Sequence, residues 1–102
     1  MYRIRVLKEA LADIIKIIDY IETQLDNPQS ASKLYEEIRS KILLLSEFPK
    51  RFEKVVVKKL CYHRASVKKF NIYYCVDDKS QIVTIVRVLY SGRDIKQVAI
   101  IN

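Results

Sequence analysis

The tripeptide Asp26-Asn27-Pro28 separates two long segments of helical periodicity, and it restricts the possible folds more than any other feature of the chain. Before it, residues 8–25 place Leu11, Ile14, Ile15, Ile18 and Leu25 at helical spacing, with Ile17 and Ile21 widening the stripe. Asp13, Lys16, Asp19 and Glu22 take the other side. The isoleucines lower helix propensity, but the periodicity outweighs that. After it, Asn27 suits an N-cap, and Pro28 suits the first helical position, where a missing N–H costs nothing. A second helix runs to about Ser46, with Ala31, Leu34, Tyr35, Ile38, Ile42 and Leu45 on one face, and ends at Phe48-Pro49. Two helices joined by two or three residues fold back as an antiparallel hairpin.

The flanks read as strands. In residues 2–7, Tyr2, Ile4 and Val6 alternate with Arg3 and Arg5. Residues 53–60, around β-branched Val55, Val56 and Val57, read as a strand, and 61–66 read as a loop or irregular continuation. Phe70, Ile72, Tyr74 and Val76 alternate with Asn71, Tyr73 and Cys75. The run 81–89 sets Ile82, Thr84, Val86 and Val88 against Val83, Ile85, Arg87 and Leu89. Asp77-Asp78-Lys79-Ser80 joins these last two as a hairpin. The expectation is an α+β domain of order β-α-α-β-β-β, a small antiparallel sheet with a two-helix hairpin on one face. The other face is expected to be free and to carry basic residues.

A chain of 102 residues predicts one domain, 1–102, large enough for a core without staples. With one Gly and two Pro, the composition is not that of a disordered chain. No apolar run is long enough to span a bilayer, and the N-terminus lacks an apolar signal core, so a soluble cytoplasmic protein is expected. Cys61 and Cys75 lack a CxxC and have only His63 nearby, which predicts two reduced thiols, no metal site and no cofactor. The net charge of +7 is concentrated. Residues 50–69 hold eight Lys/Arg against Glu53 alone, and the other 82 residues hold eleven of each sign. Such a patch attracts nucleic acid or an acidic protein.

Three stretches together resemble the RelE/ParE superfamily of bacterial type II toxins: "ALADIIKIIDYI" at 10–21, "LLLSEFPKRFE" at 43–53 and "FNIYYCVDDKSQIVTIVRVLYSGRD" at 70–94. The resemblance spans nearly the whole chain. It implies a toxin held inactive by a cognate antitoxin that wraps it. RelE-like members cleave mRNA on the ribosome, whereas ParE-like members poison DNA gyrase without nuclease chemistry. A stand-alone nucleic-acid-binding module without toxicity is the alternative from a different class.

Cleavage of RNA by its own 2′-hydroxyl needs a base, an acid and positive charge at the phosphate. For a ribonuclease the candidates are His63, Arg64, Tyr90 and Arg93, with His63 alone suited by its ordinary pKa. Arg64, Lys68, Lys69, Arg87 and Arg93 are the candidates for a target- or polyanion-binding surface, Arg93 at its rim. Arg87 is also placed to pair with a neighbouring acid. Tyr73 and Tyr74 suit sheet packing, with Tyr73 alternatively stacking on a ligand. Asp94 is placed to hold Arg93. The apolar tail 95–102 is expected to dock on the domain or to complete a partner's surface. Asn71 stands where the resemblance puts an Arg in the nucleases, and Tyr90 where some have a His. Asn supplies no charge and Tyr is a poor base, so the residues favour a gyrase-directed toxin.

Overall fold

The computed structural model describes residues 1–93 and 95. Strand β1 spans Arg3–Val6, helix α1 Lys8–Asp19 and helix α2 Pro28–Leu45. Strands β2 to β5 span Glu53–Val57, Leu60–Val67, Phe70–Asp77 and Ile82–Tyr90. The α+β class and the helical hairpin are as expected. The Asn27 side chain accepts a hydrogen bond from the Ser30 amide at 3.1 Å, and Pro28 opens α2. The first helix does not stay regular to Leu25. A π-helical turn covers Tyr20–Gln24, where the Leu25 amide bonds the Tyr20 carbonyl five residues back. Thr23 Oγ1 donates to the Asp19 carbonyl at 2.7 Å, a back-bond that competes with the helical ladder.

The strand count differs from the expectation: four strands, not three, follow the helices. Residues 61–66 are the middle of β3 rather than a loop. Its hairpins turn on Lys58-Lys59 and Lys68-Lys69, with φ of 50°, 69° and 54° at Lys58, Lys59 and Lys68. Glycine or asparagine normally marks that left-handed conformation, and here lysines adopt it. The sheet order is β1-β5-β4-β3-β2, antiparallel throughout except that β1 runs parallel to β5.

The sheet is buried on both faces. Against the helices lies a core of Ala10, Ile14, Leu34, Ile38, Leu45, Ala65, Val67, Ile72, Tyr74, Val83, Ile85 and Val88. The opposite face, expected to be free and basic, instead carries a second buried cluster of Val57, Tyr62, Tyr73, Val86, Leu89 and Ile95. The strict alternation expected along β5 breaks at a bulge. Tyr73 pairs with Arg87 but Tyr74 pairs with Ile85, leaving Val86 as the extra residue. Val88 therefore joins Val83 and Ile85 in the helix-side core, and Leu89 joins Val86 on the other face.

β1 matches only residues 82–85 of β5, so the upper half of that edge has no strand beside it. Helix α1 fills the gap. Asp13 accepts from Arg87 Nε at 2.7 Å, Arg87 Nη2 at 2.9 Å and the Val88 amide at 3.0 Å. One carboxylate thus pins the helix, neutralises the guanidinium beside the bulge and satisfies an edge amide. Tyr74 links the core to the end of the helical hairpin, donating to the Pro49 carbonyl at 2.7 Å.

Candidate functional site

β2, β3 and the segment after β5 enclose a cleft of about 390 Å³ on the face opposite the helices. Glu53, Lys54, Val55, Arg64, Tyr73, Ser91, Gly92, Arg93 and Ile95 line it. The pairing places these groups. Glu53 lies opposite Arg64 across β2–β3, and Arg64 lies opposite Tyr73 across β3–β4. Arg64 Nη2 donates to Glu53 Oε2 at 2.6 Å. Glu53 first, and then the Tyr73 hydroxyl, hold the Arg64 guanidinium even more basic than usual. Beyond β5 the chain turns tightly, with the Arg93 amide donating to the Tyr90 carbonyl at 2.9 Å. Ile95 is buried in the second cluster. That anchor seats Arg93 at the mouth of the cleft.

The fold separates the sequence candidates. Arg64 and Arg93 share the cleft. His63 is on the opposite face of β3, 6% exposed and not in a basic loop, with its ring stacked on Tyr74 at 5.2 Å. Its Nδ1 lies 3.1 Å from the Phe52 carbonyl, so Nδ1 carries the proton and donates. Tyr90 is exposed beside Phe70, edge to face at 5.9 Å, and does not line the cleft. Lys68 and Lys69 sit at the β3–β4 turn and line a groove with α2. There Lys68 Nζ lies 3.7 Å from Glu37. Arg87 is bound to Asp13. Asn71 is buried and accepts from Ser66 Oγ at 3.0 Å. Tyr73 is 1% exposed and offers no ring face to a ligand. Asp94 and residues 96–102, expected to hold Arg93 and to dock or meet a partner, lie outside the described residues.

The basic segment is more neutralised than its composition indicates. Lys50 Nζ lies 2.7 Å from Asp78, which also accepts from the Tyr2 hydroxyl at 2.7 Å. The contact holds the Lys50 ammonium above, and the Asp78 carboxyl below, their ordinary values. Both cysteines are free thiols, and burial pushes the Cys75 thiol up. Among the described residues no three His, Cys, Asp or Glu side chains cluster to hold a metal. No helix there is long and apolar enough to cross a membrane.

Two charged side chains gain their roles only through pairing across the fold. In the sequence Asp13 is one more acid on the polar side of α1, and Glu53 is the single acid in a basic run. A hairpin centred on Lys58-Lys59 pairs position 53 with 64, so opposite charges at those positions were a usable signal.

Comparison with known proteins decides the family. The family described as ParE toxin of the type II toxin–antitoxin system parDE matches residues 4–95. The chain belongs to the ParE toxin family. Solved structures agree on the fold. The chromosomal ParDE toxin–antitoxin system of P. aeruginosa superposes with a TM-score of 0.73 at 17% identity, covering 88% of this chain and 96% of that one. The RelBE2 toxin–antitoxin complex of Mycobacterium tuberculosis gives a TM-score of 0.61 at 21% identity, covering 87% and 96%. The archaeal RelE–RelB complex of Pyrococcus horikoshii gives 0.59 at 19% identity, covering 91% and 98%. A sequence search of curated proteins finds no match.

Proposed function

We propose that this ParE-family toxin acts on DNA gyrase rather than on ribosome-bound mRNA, and that a cognate antitoxin holds it inactive. One observation carries the choice of target. The groups that RNA cleavage needs do not converge. Arg64 and Arg93 line the cleft, while His63 is buried on the other face with its Nδ1 committed to Phe52, and Tyr90 lies outside. Glu53 offers a carboxylate in the cleft, but it is bonded to Arg64, and no acid matched to neutral pH accompanies it among the described lining residues. Positive charge without an acid–base pair suits binding, not phosphodiester cleavage. The antitoxin follows by analogy from the solved relatives, which are toxin–antitoxin systems. A short acidic reading frame beside the gene is its expected source.

Induction of this chain alone in a bacterial host tests the target. The expected result is growth arrest with cleaved DNA–gyrase complexes and an induced DNA-damage response. Codon-linked mRNA cuts at the ribosomal A site without DNA damage would replace gyrase with the ribosome. Undisturbed growth would favour a binding module without toxicity.

A further inference from the structure

Arg64 has a partner that is easily exchanged. Glu53 bonds it at 2.6 Å, but the Glu53 side chain stays 62% exposed, against 33% for Arg64. Carboxylate–guanidinium pairs this open to water contribute little and give way readily to another anion. A guanidinium accepts phosphate in the same forked geometry as carboxylate. Arg93 is exposed, lines the same cleft and makes no ion pair among the described residues. With Tyr73 sealed into the second cluster, the lining offers no aromatic face on which a base could stack. The site therefore has the means to hold phosphate charge and no platform for stacking a base.

We propose that this cleft binds the phosphates of a nucleic-acid backbone without stacking a base, and that Glu53 is a built-in competitor which the incoming phosphate displaces from Arg64. Arg64 and Arg93 supply two positive charges and Glu53 removes one. Glu53 thereby keeps resting affinity low and makes binding depend on a multivalent anion. The inference is independent of the choice of target.

Fluorescence anisotropy of the full chain with a short labelled DNA duplex, titrated with salt, tests it; a labelled RNA strand in parallel distinguishes the two backbones. Glu53→Gln should tighten binding about two- to fivefold, the worth of an exposed pair. Arg64→Gln and Arg93→Ala should weaken it for all sequences alike and each lower the slope of log K against log salt by about one. Melting temperatures confirm that the variants fold, and Arg93→Ala, beyond the last strand, serves if Arg64→Gln does not. Unchanged or weaker binding by Glu53→Gln removes the competitor. Wild-type affinity and slope in both arginine variants remove the site. Capture of polyglutamate but not of either nucleic acid overturns the proposal in favour of an acidic protein ligand. Gyrase poisoning without nucleic-acid binding by the isolated toxin refutes this inference alone. Binding without gyrase–DNA complexes refutes the target alone.

Discussion

Replacing Asp13 with alanine should be the most damaging single change at any charged position described. The carboxylate accepts three hydrogen bonds from β5, two from Arg87 and one from the Val88 amide. The pair is well sheltered, with side chains 16% and 14% exposed for Arg87 and Asp13. Removing one partner of a buried pair costs roughly 3–5 kcal/mol, because the other charge loses its bonded counter-ion where water hardly reaches. Partial exposure places Asp13→Ala at the lower end, about 3 kcal/mol. For a domain of this size that is a fall of roughly 12–24 °C in Tm. Thermal and urea unfolding followed by circular dichroism measure it. Asp13→Asn, which keeps one acceptor oxygen, should fall between wild type and alanine. The double change Asp13→Leu with Arg87→Met should recover much of the loss, since it leaves no buried charge. A loss below about 0.5 kcal/mol for Asp13→Ala, typical of a plain surface substitution, would refute the role given to Asp13 as the clamp of the β5 edge.

Further outcomes follow from the core and the cleft. Burial pushes the Tyr74 hydroxyl up to about 12, so the unfolded chain ionises first as pH rises. The stability this group contributes is complete below about pH 10. It should be lost as pH climbs to about 12. Tyr74→Phe should flatten that alkaline fall in urea denaturation, and an unchanged profile would assign it to other groups. Ile14→Ala should destabilise by roughly 2–5 kcal/mol, because Ile14 packs in the helix-side core. Arg93→Ala should instead abolish growth arrest at unchanged Tm; if it melts as low as the Ile14 variant, Arg93 is structural.

Much of this fold was legible because its signals are local. The two amphipathic runs and the Asn27-Pro28 restart name the helical hairpin, and the cap is where those residues place it. β4 and β5 announce themselves by alternation around Asp77–Ser80. β3 did not, because its turns are built from lysines in the left-handed region, and because polar His63, Arg64 and Ser66 broke up its pattern. Half of the candidate cleft was likewise visible. Arg64 and Arg93 stand out by charge, but that His63 faces the core, opposite its neighbour Arg64, follows only once residues 60–67 form a strand.

Element type, the helical hairpin and the basic excess near β2 and β3 are properties of neighbouring residues, and the amino-acid order dictates them directly. Which charges remain available is a different matter. Asp13 and Arg87 lie 74 positions apart and meet because α1 replaces a missing strand beside a bulge. Glu53 meets Arg64 through a lysine turn, and Ile95 closes the face that would otherwise have been open. The packing of distant elements made those choices, since a charge acts over the few ångströms to whatever group the chain brings near it, whatever their separation in sequence.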